Sequence, residues 1–292
     1  MTKNKLNLLF PLLCLALCLL FPSVCAAGAR KGLAVSLEAA LPAIYPSLIL
    51  SCLLVRQSLP SEEKSFLLPF FLGLFCGFPV GAASTAALVR NGKLSVRDGE
   101  RLLFFCNNAS PAFLISYCGE SILGDAKKGA LLFFLQSLFS ILFLFLFFGK
   151  RIFVRGSRTK NSRSSSLPWW KNLPLVLREA TNSFLYIISC IIFFSFFTEL
   201  IRHLFSLKKT PLTILGMFAE LCGGLDRLRD LPVQIALPIC ALGCGFGGLS
   251  VHLQTAGILE DSPLSLGVHL KGKIVFSLLM LVGTLFLQKL LK

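Results

Sequence analysis

GALLFFLQSLFSILFLFLFFG, residues Gly129–Gly149, contains no Asp, Glu, Lys or Arg, and this stretch decides what kind of protein the chain encodes. A helix needs about 20 apolar residues to cross the hydrocarbon layer, and a charge at its centre is costly. The run meets both conditions. Leu6–Ala29, Ser65–Val89, Leu102–Gly119, Ala180–Thr198 and Leu231–Leu259 are equally free of charge, and Leu33–Val55 holds only Glu38. A shorter run, Ile274–Gln288, stops just before Lys289, with Lys292 following, where long basic side chains reach back to the interface. The expectation is an all-α polytopic transmembrane protein with about seven to eight hydrophobic segments. Composition agrees: 55% of residues are hydrophobic, 28 are Phe and 15% are charged.

The formal net charge is +15, which in a soluble protein would suggest nucleic acid as a partner. Its location argues otherwise. Lys150, Arg151, Arg155, Arg158, Lys160, Arg163 and Lys171 sit in one Ser-rich connector that holds no acid, as expected of a cytoplasmic loop under the positive-inside rule. Membrane lipid is therefore the expected partner, and nucleic acid is not.

The 11 cysteines are scattered through the apolar runs with no Cys-x-x-Cys pair, so they read as small buried hydrophobes, and no metal or cofactor is expected. Lys3 and Lys5 ahead of an apolar stretch that ends near Ala26, Ala27 and Gly28 imitate a secretory signal. The apolar part, Leu6 to Val24, is longer than a signal core, which favours a retained first helix.

The basic connector divides the chain into comparable halves, giving an N-terminal anchor (1–32), a first repeat (33–149), the connector (150–172) and a second repeat (173–292). Cys76-Gly77-Phe78-Pro79-Val80-Gly81 is echoed by Cys244-Gly245-Phe246-Gly247-Gly248-Leu249, both inside uncharged runs. Glycines and a proline in mid-membrane interrupt the helical ladder, and the freed backbone groups survive only against protein or a polar cavity. Paired breaks in two halves point to a binding site between them. Close helix packing on the same glycines is the competing explanation. Asn107, Asn108, Ser110 and Pro111 lie in another uncharged run, where adjacent carboxamides suit a neutral or zwitterionic solute. The candidate site therefore comprises Gly77, Pro79, Gly81, Asn107, Asn108, Ser110, Pro111, Gly245, Gly247, Gly248, Ser250, His252 and Gln254. In an unwound stretch His252 and Gln254 would face one pocket; on a helix they would diverge.

Gly77-Phe78-Pro79-Val80-Gly81-Ala82, then Arg97-Asp98-Gly99-Glu100-Arg101-Leu102-Leu103, then Cys106-Asn107-Asn108-Ala109-Ser110-Pro111, resemble the Gate, or nucleoside-recognition, family of membrane proteins. Within it they resemble the sporulation integral membrane protein branch known as YlbJ. Phe246-Gly247-Gly248-Leu249-Ser250-Val251-His252 is similar to that branch's second Gate repeat, and Leu41-Pro42-Ala43-Ile44-Tyr45-Pro46 to its early Pro-rich helix. The resemblance implies two Gate-type repeats with broken or re-entrant helices, in the bacterial cell membrane, with a link to endospore formation.

Two functions follow as expectations: a carrier of a small polar solute, or a non-transporting scaffold for the spore envelope with homo-oligomeric or sporulation membrane partners. Catalysis is not expected, because neither His-Glu-x-x-His nor Gly-x-Ser-x-Gly occurs. The crossing count poses a conflict. Five crossings from a cytoplasmic N-terminus would place the basic connector outside, so either the N-terminus is outside or one broken segment, Leu102–Gly119 in the first instance, is re-entrant.

Overall fold

The computed structural model describes residues 2–57, 64–153, 168–205 and 215–290. Helices account for most of them, with turns and short irregular stretches between and no strand among the described residues. Among the described residues four helices are long and apolar enough to cross a membrane: Ala126–Ile152, Trp169–Phe205, Val233–Leu259 and Leu266–Leu290. The count rises to five if Leu8–Leu20 and Pro22–Glu38, bent by 103° to each other, form one span. This polytopic helical architecture is the expected one, with fewer spans than seven or eight, because several apolar runs do not cross as straight helices.

Ser65–Val89 is one such run. It forms Leu67–Phe75 and Val80–Arg90, joined at Cys76–Pro79. A Cβ on Gly73 would lie 3.1 Å from the Cα of Gly81, whereas residues eight apart in a continuous helix are about 12 Å apart. The chain doubles back as a helical hairpin. Its turn requires the positive φ of 82° at Gly77, which a side chain would resist.

Leu102–Gly119 does the opposite. Val96–Phe105, capped by Ser95 Oγ accepting from Asp98 N at 3.1 Å, unwinds over 106–110 and resumes as Phe113–Ile122. Along Ala126–Ile152 the contacts advance steadily: Phe104 with Phe147, Asn108 with Ser140, Ala109 with Gln136, Gly119 with Gly129. The chain therefore continues in one direction through the break. The re-entrant element is the hairpin, and Leu102–Gly119 belongs to a broken crossing.

Residues 22–57 form one continuous helix, Pro22–Val35, Ser36–Ala40 and Leu41–Gln57, which carries Arg30, Lys31, Glu38 and Arg56. It lies antiparallel to Trp169–Phe205, with Gly28 against Phe196, Gly32 against Ile192, Tyr45 bonded to Thr181 at 2.9 Å and Arg56 paired with Glu179. Small residues at 28 and 32 allow the two backbones to touch.

The same order of elements then recurs. Trp169–Phe205 is followed by a second hairpin (215–219 and Leu221–Asp226), a second interrupted span (Val233–Phe246 and Gly248–Leu259) and Leu266–Leu290. A Cβ on Gly216 would lie 3.2 Å from Gly224 Cα, the eight-residue spacing of Gly73 and Gly81 again. Leu266–Leu290 runs parallel to the first broken span, with His269 at Leu103 and Gly272 at Phe104. It runs antiparallel to Val233–Phe246, with Ser277 at Gly245 and Gln288 at Gln234. The second set is thus inverted relative to the first. The two sequence echoes fall at non-corresponding places, since Cys76–Phe78 forms a hairpin tip whereas Cys244–Phe246 ends the first half of an interrupted span.

Helix ends sort onto two faces. Lys64 bonds the Ile152 carbonyl at 3.2 Å, Arg151 pairs with Asp98 at 2.6 Å, and Gly99 packs on Leu264. The first hairpin therefore opens on the face from which the basic connector leaves. On the opposite face, Arg229 bonds the Ser121 carbonyl and Gln288 bonds that of Gln234 at 3.3 Å. Connector residues 154–167 lie outside the described residues, as do 206–214 ahead of the second hairpin.

Candidate solute site between the hairpin tips

Each hairpin tip is seated on a break. The carbonyl of Cys106, freed where Val96–Phe105 unwinds, occupies the space that side chains on Gly73 and Gly81 would need, and Gly77 packs on Ser110. In the second set, Gly248 packs on Met217, Phe218 and Leu221, and Gly243 on Met217. Gly247, with φ 93°, allows the chain to step between Val233–Phe246 and the next helix.

The two tips and the two broken spans line one pocket. Gly77 and Phe78 come from the first tip, Glu220 to Cys222 from the second, Ser110 from the first span, and Ser250 and Gln254 from the second. Ile44 and Ile187 from the two long helices are also in its wall. Its free space is about 30 Å³, enough for water but not for a solute of nucleoside or amino-acid size. Gln254 Nε2 donates to Ser250 Oγ at 3.3 Å, as their spacing of four on a regular helix dictates. Glu220 is 4% exposed, and its carboxylate accepts from Cys222 N at 3.0 Å and Gly223 N at 2.6 Å, capping the short second arm.

Beside this pocket the unwound 106–110 backbone is held from two sides. Gln136 exchanges bonds with Ala109, donating to its carbonyl at 2.8 Å and accepting from its N–H at 3.2 Å. Lys273, 1% exposed, donates to the Asn107 carbonyl at 2.8 Å and to Asn108 Oδ1 at 3.2 Å, with its ammonium 5.4 Å from the Phe276 ring centroid. Asn108 Nδ2 donates to the Phe105 carbonyl at 2.7 Å and to Ser140 Oγ at 2.9 Å. Asn107 Nδ2 donates to Thr255 Oγ1 at 3.1 Å, and its Oδ1 accepts from Ala82 N at 3.4 Å. The network ties the first broken span to its own hairpin and, in the second set, to Gly248–Leu259 and Leu266–Leu290.

His252 turns away from Gln254, as a regular Gly248–Leu259 helix requires. Its Nδ1 lies 3.3 Å from His269 Nε2, and His269 Nδ1 lies 3.3 Å from the Leu103 carbonyl. With both rings neutral, that carbonyl fixes the proton on His269 Nδ1, so His269 Nε2 accepts from His252 Nδ1. His252 Nε2 is left buried without a protein partner.

Of the expected site residues, Gly77, Ser110, Ser250 and Gln254 meet in the pocket. Asn107 and Asn108 form the adjoining network, and Gly81 and Gly248 seat the tips. Pro79 is the N-cap of the second hairpin arm, and Pro111 begins the resumed helix, half-buried. Gly245 packs on Ser277, and His252 joins His269; neither lines the pocket. The site expected from sequence omits Lys273, His269 and Glu220; the first two lie early in a helix beginning at Leu266. Gly216 and Gly224, which flank Glu220 with the spacing of Gly73 and Gly81, were the available signal.

The chain is 24% identical over 332 aligned positions to the sporulation integral membrane protein YlbJ of Bacillus subtilis (strain 168), an alignment covering 90% of this chain and 78% of that protein. No family model and no solved structure matches it. With its helical architecture, this similarity describes a multi-pass integral membrane protein distantly related to a sporulation membrane protein.

Proposed function

We propose that the chain is a transporter-like protein that binds a small polar solute where the hairpin tips meet the broken spans, in connection with endospore formation. The observation that carries this reading is a pocket lined by both tips and both broken spans of an inverted repeat, the place where carriers built from inverted repeats hold their cargo. With about 30 Å³ of free space, the conformation is closed, so a solute gains access when a hairpin withdraws from its break. Ser110, Ser250 and Gln254 offer donors and acceptors for a neutral or zwitterionic solute, nucleoside-like or other, and Glu220 adds a carboxylate suited to an amine or a hydroxyl. The resemblance to Gate proteins supports the two-repeat reading, and the name of the Bacillus relative supports the sporulation link.

The face that carries Lys64, Arg90, Lys93, Arg97, Arg101, Lys150 and Arg151 is the cytoplasmic one under the positive-inside rule. Since the hairpin does not cross, helix 22–57, the first broken span and Ala126–Ile152 bring the chain to the connector on that face, starting from outside at residue 22.

The test is thermal stabilisation of the detergent-purified protein by a panel of nucleosides, amino acids and dicarboxylates, with Gln254→Ala as reference. A ligand at a hundredfold its dissociation constant adds about 2.7 kcal/mol. A stabiliser lost in the variant supports the reading; stabilisers that act equally on Gln254→Ala argue against this pocket.

A further inference from the structure

Three cysteines that the sequence scatters are brought together by the fold. Cys118, on Phe113–Ile122, meets Cys240 and Cys244, one turn apart on Val233–Phe246. The Cys118 and Cys244 sulfurs are 3.6 Å apart, those of Cys240 and Cys244 are 3.9 Å apart, and all three lie within 4.8 Å of one another. All three residues are fully buried.

These spacings match a coordination triangle. An ion at the centre of three sulfurs, with metal–sulfur bonds of about 2.3 Å, holds the sulfurs about 4.0 Å apart. Among the described residues no His, Asp or Glu joins the cluster, so the fourth ligand that a structural zinc site takes is missing. Thiolate ligands select Cu(I) or zinc, and without a fourth ligand the set fits Cu(I). Three thiolates on Cu(I) leave the site at −2, and the Lys273 ammonium, which interacts electrostatically with Cys244, offsets part of that charge.

We propose that Cys118, Cys240 and Cys244 form a binding site for one Cu(I) ion. On binding, the three thiols release their protons to solvent as three copper–sulfur bonds form, and copper does not change oxidation state. The ion joins the first broken span to the second, across the two inverted sets. The site is independent of the solute pocket.

The test titrates the anaerobic, detergent-purified full chain with Cu(I) against bathocuproine disulfonate. The expected result is one copper retained per chain with a three-coordinate, sulfur-only X-ray absorption signature. Cys240→Ser and Cys244→Ala, checked for a cooperative melt, should each weaken retention at least tenfold, while Cys18→Ser and Cys190→Ser leave it unchanged. Copper held equally well by Cys240→Ser and Cys244→Ala, or no copper retained by a folded wild-type protein, would overturn the proposal. So would zinc bound with oxygen or nitrogen donors in place of copper.

Discussion

Lys273 and Asn108 offer the most informative perturbation, because each alone has opposing effects that a pair separates. Lys273→Met leaves the Asn107 carbonyl and Asn108 Oδ1 without their donor, a cost of about 1 to 3 kcal/mol for each buried acceptor. It also removes an ammonium from a buried site, which offsets part of that cost. Asn108→Ala loses the bonds to Phe105 and Ser140 at 2.7 and 2.9 Å and one of the two acceptors of Lys273. The coupling between them is the Lys273–Asn108 bond alone. Hydrogen bonds between membrane helices average about 0.6 kcal/mol in double-mutant cycles, and a charged donor roughly doubles this, giving about 1.2 kcal/mol. At about 2 to 4 °C per kcal/mol, the double variant should melt about 2 to 5 °C above the additive expectation. Thermal unfolding of the four proteins in one detergent measures it. Additivity within about 0.5 kcal/mol would refute the network as drawn.

Gly73→Ala forces a methyl into the Cys106 carbonyl, a backbone atom with little room to move; it should cost about 3 kcal/mol, the upper end for overpacking, seen as lost folded yield in detergent. Ser95→Ala removes a cap distant from the pocket and should lower stability by about 1 kcal/mol while leaving the response to any stabilising solute intact. For orientation, a cysteine replacing Lys93 should react from the cytoplasmic side of the membrane and one replacing Lys127 from the other; the reverse pattern would contradict the assignment of faces.

The class of protein was legible because apolar runs such as Gly129–Gly149 have one physical solution in lipid. The breaks at Gly77, Asn107–Pro111 and Gly247 were legible too, since glycine, proline and paired amides are out of place in a spanning helix. Which break turns back and which carries on was not, because Ser65–Val89 and Leu102–Gly119 are both uncharged runs with an interruption inside, and only the Gly73–Gly81 and Asn108–Ser140 contacts separate them. The correct internal correspondence was hidden as well: Gly73 and Gly81 match Gly216 and Gly224 by spacing alone, and the Cys-Gly-Phe echo drew attention elsewhere. Lys273 escaped because a lysine early in a helix normally reaches water, and only the fold places it beneath an unwound strand of backbone. The cysteine triangle needs two helices from different halves, which no local pattern reports.

The central claim is that the pocket between the hairpin tips opens to solute, and Cys222 in its wall reports on this without knowledge of the cargo. The measurement is the rate at which a water-soluble methanethiosulfonate modifies Cys222 in the protein reconstituted in vesicles, with Cys190, which is buried and outside the pocket wall, as the internal reference. The account predicts that Cys222 reacts much faster than Cys190 and that a stabilising solute slows it. Cys222 as inert as Cys190 would contradict the account and leave a closed structural junction in place of a solute site.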